Sequence, residues 1–365
     1  MKVNQRIVIL TLCAGFLFQK VHAQTGMRYV NAGGLPILGR LFPGKTLYTR
    51  LPDSMKTDLR KPVWQLSTNP AGLAVYFESD SKQLSAKWKT GTAVVFSHVP
   101  STLVKGLDLY AMDAGKWYNA GIGNPVKASN QEWIMCKDLD GTMRQYLLYL
   151  PDYEVMDSLE IGIDSGAVIH SPEVNRFTGK KPVVIYGTSI VQGAAASRPG
   201  MAYPAQLERM LQRETINLGF SGNGQMDSVI ALAMASVDAS CYVIDCGPNL
   251  SPELAAKRTV PFIRILKSRR PSTPVLLVEN IIYPTVRFNK IIATKVAGTN
   301  AAFRAAFTQL QQEKVQHLYY LASDHLIGED GEGTVDGVHL TDLGFYRLAL
   351  IMSREVKEIL RLSEK

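Results

Sequence analysis

The chain has 365 residues, of which 46% are hydrophobic and 20% are charged. This length fits two domains better than one, and the composition is that of an ordinary globular protein rather than a disordered or fibrous one. The formal net charge of +8 is spread along the chain without a long basic run, which gives no support for nucleic-acid binding.

The N-terminus has the pattern of a signal peptide. Lys2 and Arg6 are followed by an apolar run from Ile7 to Phe18 and then by Val-His-Ala at residues 21–23. A short apolar run that ends in a small-x-small site predicts cleavage after Ala23, so residues 1–23 are expected to be removed on export, to the periplasm or as a secreted protein. A buried N-terminal helix is the alternative. No later segment has the roughly 20 apolar residues that a membrane-spanning helix needs.

The cysteines do not predict a disulfide scaffold. Without the signal the chain keeps Cys136, Cys241 and Cys246, which is an odd number. The last two flank a strand-like apolar run at an odd spacing, so they face opposite sides of that strand. Cys13 lies within the signal, but Leu12 is too bulky for the small residue that precedes a lipidated cysteine, and no lipid anchor is expected.

Residues 24–172 are predicted to form an antiparallel β-sandwich. Short apolar or alternating runs are separated there by Gly, Pro, Asn and Asp, and long segments with helical periodicity are missing. The predicted strands are Ala74 to Glu78, Thr92 to Ser97, Gly106 to Met112, Gln145 to Tyr149 and Ser158 to Ile163. Short strands separated by turn residues are typical of a sandwich.

Residues 173–365 are predicted to form an α/β domain, which begins after a polar connector that includes Ser171 and Pro172. The predicted strands are Val183 to Tyr186, Ile216 to Leu218, Tyr242 to Asp245, Val275 to Glu279 and Leu318 to Leu321. The helices predicted between and after them are Tyr203 to Arg213, Asp227 to Ala235, Glu253 to Lys267, Asn300 to Glu313 and Thr341 to Leu362. Such alternation indicates a parallel sheet with helices on both faces.

Four polar or glycine-rich clusters occur in this second half. They are Gly-Thr-Ser at 187–189, Gly-Phe-Ser-Gly-Asn-Gly at 219–224, Gly-Pro-Asn at 247–249 and Asp-Gly-Val-His at 336–339. The first three follow predicted strands directly. Because active sites of open parallel sheets gather at the carboxyl ends of the strands, we expect all four clusters to converge on one edge.

The clusters contain the groups that acyl transfer needs. A serine hydroxyl is a poor nucleophile near neutral pH, so Ser189 needs a base, and His339 can take its proton while Asp336 holds the imidazole in the correct tautomer. The developing oxyanion needs hydrogen-bond donors, and the N–H groups of Ser189 and Gly222 and the side-chain amide of Asn249 can provide three.

In this order, the four clusters resemble the sequence blocks of the SGNH (GDSL-like) hydrolases, which are named for their catalytic Ser, Gly, Asn and His. The resemblance covers roughly Pro182 to the C-terminus and implies a three-layer αβα (flavodoxin-like) fold and an esterase that needs no cofactor or metal. Two positions depart from the usual blocks: Thr188 replaces the Asp of Gly-Asp-Ser, and Leu250 replaces the Asp that often follows the third-block Asn. Neither position carries the triad chemistry.

A second resemblance lies in the first half. Residues 106–110, Gly-Leu-Asp-Leu-Tyr, are similar to the GxDLY signature of a β-sandwich domain that precedes SGNH domains in many exported bacterial proteins. Relatives with this arrangement include carbohydrate esterases that remove acetyl groups from plant polysaccharides. The resemblance therefore implies an acetylated carbohydrate as the substrate.

Other interpretations of these residues remain open. Asp324 and His325 form a rival base, although they lack the i, i+3 spacing of Asp336 and His339. Asp336 and His339 could instead be a loop carboxylate and a surface imidazole, or part of a metal site, but no other histidine or cysteine stands at ligand spacing. The glycines and Asn249 could be turn residues only.

Aromatic residues of the first half could form a sugar-binding platform or belong to the sandwich core, which is the more common place for aromatic residues in strands. These residues are Trp88, Tyr110, Trp117, Tyr118 and Trp133. Tyr283 and Pro284 follow a predicted strand and are candidates for lining the pocket.

The sequence thus predicts an exported serine esterase that acts on short acyl esters of carbohydrate. A lipid or thioester hydrolase is the alternative among enzymes, because a fold does not fix a substrate. A carbohydrate-binding protein that has lost hydrolase activity is the alternative outside enzymes. The sequence leaves the acyl acceptor and the oligomeric state open.

Overall fold

The computed structural model describes residues 26–42, 46–92 and 96–362. The predicted signal peptide and Cys13 therefore lie outside the described residues. Within the described ranges, no helix combines the length and the apolar character needed to cross a membrane.

The first part of the chain forms two antiparallel sheets. Its strands are β1 (Met27–Asn31), β2 (Ile37–Leu38), β3 (Ala74–Ser79), β4 (Leu84–Thr90), β5 (Leu107–Asp113), β6 (Lys116–Gly123), β7 (Asn130–Cys136), β8 (Arg144–Tyr149), β9 (Met156–Asp164) and β10 (Ile169–His170), and its helices are α1 (Lys61–Ser67) and α2 (Ser101–Val104). One sheet has the order β1-β9-β4-β7. The other has the order β10-β3-β8-β5-β6, with β2 paired to β3.

The two antiparallel sheets enclose a shared apolar core, as the predicted sandwich requires. Strand β4 shows the pattern: Leu84, Ala86 and Trp88 are buried in this core, whereas Lys87 and Lys89 are more exposed. Alternate residues of a strand point to opposite faces, so one face packs and the other is solvated. The prediction of a β-sandwich before the α/β part is confirmed.

The second part contains a five-stranded parallel sheet of order β12-β11-β13-β14-β15. Its strands are β11 (Val183–Gly187), β12 (Thr215–Gly219), β13 (Cys241–Asp245), β14 (Val275–Val278) and β15 (Leu318–Leu321), and its helices are α3 (Ser189–Gln192), α4 (Tyr203–Leu211), α5 (Ser228–Ser236), α6 (Pro252–Arg269), α7 (Lys290–Gln312) and α8 (Asp342–Ile359). The α/β fold class predicted from the alternation is confirmed.

Helices cover both faces of the parallel sheet and make three layers. In β11, Val183 and Ile185 belong to the core that contains residues of α4 and α8, whereas Val184 and Tyr186 belong to the core that contains residues of α5 and α6. All five residues of β11 are buried. A central strand covered on both faces reads as a continuous apolar run, which is why the sequence predicts it well.

The two parts of the chain are interlocked. Leu51, Leu59 and Val63, which precede the third strand of the sandwich, belong to the core on one face of the parallel sheet. The fully buried guanidinium of Arg50 donates to the carbonyl oxygens of Asn217 (3.2 Å) and Gly219 (2.6 Å) at the end of β12. The boundary placed at residues 172/173 stays a prediction, but the segment around Arg50 packs with the sheet beyond it.

The GxDLY motif makes a second link between the two parts. Asp108 is fully buried in β5, and its carboxylate accepts hydrogen bonds from the Arg198 guanidinium at 2.6 Å and from the Gly200 N–H at 2.8 Å. Arg198 also donates to the Tyr110 hydroxyl at 2.7 Å. The Asp and Tyr of the motif therefore hold the segment between α3 and α4 against the sandwich.

Some predicted elements differ from the observed ones. Residues 93–95 of the strand predicted at Thr92–Ser97 lie outside the described residues, and its described residues are not in a strand. Helix α7 begins at Lys290 rather than at Asn300, because Asn289 caps it by accepting from the first backbone N–H groups. The first part also contains α1 and α2, which are too short to produce a helical period.

Candidate active site

Ser189 stands directly after β11, at the start of the short helix α3. Thr188 caps this helix, since its hydroxyl accepts from the Ile190 N–H at 3.2 Å. Thr188, which replaces the usual Asp of this block, therefore still supplies the side-chain oxygen that an N-cap residue needs. Gly193 ends the helix with φ of 112°, a left-handed conformation that favours glycine. The turn fixes Ser189 at the carboxyl edge of the sheet.

The structure brings Ser189, His339 and Asp336 together. The Ser189 hydroxyl lies 3.0 Å from Nε2 of His339, and Nδ1 of the same ring lies 2.8 Å from a carboxylate oxygen of Asp336. When the Nδ1–H group of His339 donates a hydrogen bond to Asp336, Nε2 carries no proton and presents its lone pair to the serine hydroxyl. This is the geometry that a serine nucleophile and its base require.

Asp336 is held as a carboxylate. Its limited burial raises the pKa, but hydrogen bonds from the His339 ring and from the backbone N–H groups of His339 and Val338 outweigh that effect and lower the pKa to about 2. Hydrogen bonds that donate to the charged form favour it. Asp336 is therefore ionised at any pH at which a histidine base works.

The loops that contain Ser189, Gly222 and Asn249 follow three adjacent strands of the parallel sheet. Strands β12, β11 and β13 end in register, with Gly187 opposite both Gly219 and Asp245, so the following loops lie side by side. Asn249 closes the third loop, and its Oδ1 accepts from the Gly224 N–H at 3.1 Å. This bond orients the amide so that its NH₂ group points away from Gly224.

Gly222 has φ of 69°, which explains a glycine there on conformational grounds alone. Among the residues that the structure describes, no acceptor binds the N–H groups of Ser189 and Gly222 or the side-chain NH₂ of Asn249. Donors left free at the mouth of a site are compatible with binding an oxyanion.

Two buried side-chain amides, Gln192 and Asn217, hold these loops in place, and neither is among the site residues predicted from the sequence. Gln192 accepts from the Ser221 N–H at 3.0 Å and donates to the Asp152 carbonyl at 2.9 Å, while Asn217 donates to the Val191 carbonyl at 2.8 Å. A polar Asn217 inside an apolar strand is a signal that could have found it, because buried amides need partners.

A residue of the first part also reaches the site. The ring of His98 stacks on that of His339, with centroids 4.9 Å apart and an angle of 23° between the planes. His98 is not among the site residues predicted from the sequence. No local pattern marks it, because the contact depends on how the two parts pack.

His98, Asp336 and His339 each place a potential ligand atom within 4.8 Å of the other two. The lone pairs of an imidazole lie in the plane of its ring, and the planes of His98 and His339 are nearly parallel, so these lone pairs do not converge on one ion. Nε2 of His339 also faces the Ser189 hydroxyl and Nδ1 faces Asp336, so both ring nitrogens already have partners. The cluster fits ring stacking better than metal binding.

The rival base occupies a different place. His325 is exposed and pairs with Glu329 at 2.8 Å, whereas the Ser189 hydroxyl faces His339. Tyr283 is buried and, with Pro284, lines a cavity of about 150 Å³ whose wall also includes His325. The lining of this cavity does not include Ser189 or His339, so Tyr283 and Pro284 line a different cavity from the one predicted.

The aromatic residues of the first part are divided between core and surface. Trp88 and Tyr110 are buried, Trp117 and Trp133 are partly buried, and Tyr118 is 54% exposed. Cys136, Cys241 and Cys246 are free thiols. Leu250, at the second departure from the family blocks, is buried in the core.

Comparisons with known proteins identify the family of this chain. A model of the GDSL-like lipase/acylhydrolase family matches residues 180–357, and a model of the N-terminus of SGNH-hydrolase-type esterases, named GxDLY, matches residues 27–169. A crystal structure from Bacteroides ovatus, assigned as a GDSL-like lipase, has 37% sequence identity and a TM-score of 0.89, covering 93% of this chain and 100% of that one. The chain belongs to the GDSL-like lipase/acylhydrolase family.

Membership makes the chain a serine hydrolase of ester bonds. More distant structures share the fold of this GDSL-like hydrolase. The salicylyl-acyltransferase SsfX3 of a tetracycline biosynthetic pathway is 16% identical, with a TM-score of 0.73 and coverage of 92% and 98%. A family two carbohydrate esterase from Clostridium thermocellum, in complex with cellohexaose, is 10% identical, with a TM-score of 0.57 and coverage of 92% and 99%. A comparison with curated proteins found no match.

Proposed function

We propose that this GDSL-like hydrolase is an exported esterase that removes acetyl groups from carbohydrate through an acyl-enzyme. Ser189 is the nucleophile, His339 the base and Asp336 the group that orients it. The observation that carries the proposal is the chain of contacts from the Ser189 hydroxyl through both ring nitrogens of His339 to Asp336.

The reaction runs in two halves. Nε2 of His339 takes the Ser189 proton as the oxygen attacks the acyl carbon, and the same proton then goes to the departing sugar oxygen. The resulting acyl-serine is hydrolysed by a water that His339 deprotonates, which releases acetate and restores the serine. In both halves the negative oxygen is bound by the N–H groups of Ser189 and Gly222 and by the amide of Asn249.

The substrate is proposed from kinship and from export. Carbohydrate esterases are among the proteins with the same fold, and one of them was solved with a cello-oligosaccharide. The signal pattern of residues 1–23 favours a substrate outside the cytoplasm. A small acyl group also suits a nucleophile that is only 5% exposed and lies between two parts of one chain.

The test is a chain-length series of p-nitrophenyl esters, followed by acetate release from acetylated and chemically deacetylated polysaccharide. We expect a preference for the acetyl ester, acetate release only from the acetylated polymer, and neither activity in Ser189→Ala. A preference for long acyl chains would identify a lipid or thioester hydrolase instead. Sugar affinity without turnover in the wild-type protein would identify a binding protein.

A further inference from the structure

His98 belongs to the first part of the chain, yet its ring covers one face of the His339 ring at 4.9 Å. The angle of 23° between the two planes is that of a stacked pair. His98 itself is half-buried. The base of the proposed triad therefore has one face against protein.

Packing fixes the position of His98. The next residue, Val99, is buried in the same core as Leu103 of α2 and Leu340, the residue that follows His339. The Leu103 carbonyl accepts from the Asp152 N–H at 3.0 Å, which ties α2 to the segment after β8. Val99 and Leu340, the residues that follow His98 and His339, therefore pack in one core, and this packing keeps the two rings close together.

A further ring supports His98 from its edge. Phe96 makes edge-to-face contacts with His98 at 6.2 Å and with Tyr153 at 5.4 Å. Tyr153 is buried, and its hydroxyl donates to the Ser189 carbonyl at 3.4 Å. Aromatic contacts therefore run from the backbone of the nucleophile to the face of its base.

Stacking constrains a motion that the triad contacts leave open. The bond to Asp336 fixes the Nδ1 edge of His339, but rotation of the ring about that bond would still move Nε2 away from the Ser189 hydroxyl. A ring packed flat on one face opposes this rotation. Catalytic groups need such positioning because small displacements of reacting atoms lower the rate strongly.

We propose that His98 is a positioning residue, contributed by the β-sandwich part, that holds the imidazole of His339 in line with Ser189 by ring stacking. The inference rests on the proposed triad function and assigns the first part of the chain a role in the chemistry. The role requires a flat ring at position 98 and does not require its nitrogens.

The experiment compares His98→Ala, His98→Phe and, as a control, His170→Ala, a histidine of the same part whose ring nitrogen contacts the Ser171 carbonyl. The measurements are kcat and KM for p-nitrophenyl acetate, the second-order rate of labelling of Ser189 by a fluorophosphonate, and the thermal unfolding midpoint. Labelling depends on the serine and its base and makes no use of a sugar.

For His98→Ala we expect kcat and the labelling rate to fall by about 10-fold with KM nearly unchanged. A factor of ten corresponds to about 1.4 kcal/mol, the order measured for stacked aromatic pairs. His98→Phe keeps a flat ring and should stay within about 3-fold of wild type, and His170→Ala should match wild type. If His98→Ala does not fold, a loss of more than about 3-fold in the labelling rate of the Phe variant would still overturn the inference.

Three outcomes would overturn the inference: unchanged labelling in a folded His98→Ala variant, a raised KM at unchanged kcat, which would make His98 a substrate contact, or a Phe variant as slow as the Ala variant. A wild-type protein that is neither labelled nor active would be a different result. It would overturn the proposed function itself, together with the inference that rests on it.

Discussion

Replacement of Asn249 separates the proposed role of its NH₂ group as an oxyanion donor from the structural role of its Oδ1 atom. Its Oδ1 accepts from Gly224, and a side chain at Gly224 would collide with the Gly187 carbonyl, so this loop has little room to move. The NH₂ group has no acceptor among the described residues, which suits its proposed contact with the reacting oxygen. Removal of one oxyanion donor costs about 2.7–4 kcal/mol, or roughly 10² to 10³ in kcat.

Asn249→Ala should therefore lower kcat for p-nitrophenyl acetate by roughly 10² to 10³ while KM changes little, because the donor acts on charge that develops in the transition state. Asn249→Asp is the matched variant. It keeps an oxygen for the Gly224 N–H but places a second oxygen where the NH₂ group stood, so its kcat should be at least as low. An Asp variant with more than about a tenth of wild-type turnover, or an Ala variant with only a raised KM, would refute the donor role.

The remaining predictions concern stability. Asp108→Ala should lower the free energy of unfolding by about 3–5 kcal/mol, measured by urea titration, because it leaves the Arg198 guanidinium without its buried carboxylate; a loss below about 1 kcal/mol would show that the pair does not join the two parts. Burial raises the pKa of Asp245 to about 6 despite a hydrogen bond from Tyr203. Because the folded-state pKa lies above the unfolded value, this group stabilises the fold at low pH, and up to about 3 kcal/mol is lost as pH rises from about 4 through 6. Relative to wild type, Asp245→Asn should be more stable at pH 7.5 than at pH 4.5, and an equal difference at both pH values would contradict the assignment.

The parts of the site that follow strands could be predicted from the sequence. Ser189 and Asn249 lie within a few residues of the ends of apolar strands that are buried on both faces, and such apolar runs are visible without a structure. Parallel strands place their carboxyl ends at one edge, so residues distant in sequence could be brought together by a general rule. His339 needed its spacing from Asp336 and the resemblance to the family blocks, because it follows a long loop rather than a strand.

The contacts between the two parts could not be predicted in this way. Arg50 and His98 lie outside strands, and their partners are backbone carbonyls and a ring far away in the chain. The strands predicted from the sequence do not include β4, although its buried Leu84, Ala86 and Trp88 alternate with more polar residues in the pattern of a half-buried strand. Local pattern reports which face of an element is apolar, but the partner of that face depends on how the whole chain packs.

The same contacts bear on where sugar recognition resides. In the first part, Asp108 and Tyr110 accept hydrogen bonds from Arg198, and Trp88 packs in the sandwich core. Arg50 donates to the Gly219 carbonyl at the end of β12. These side chains already have partners within the protein. A sugar that bound to them would have to displace the contacts of Asp108, Tyr110 and Arg50 that join the two parts of the chain. If Ser189 and His339 act as proposed, Asp108, Tyr110 and Arg50 affect the reaction through the positions of these two residues rather than through contact with a sugar.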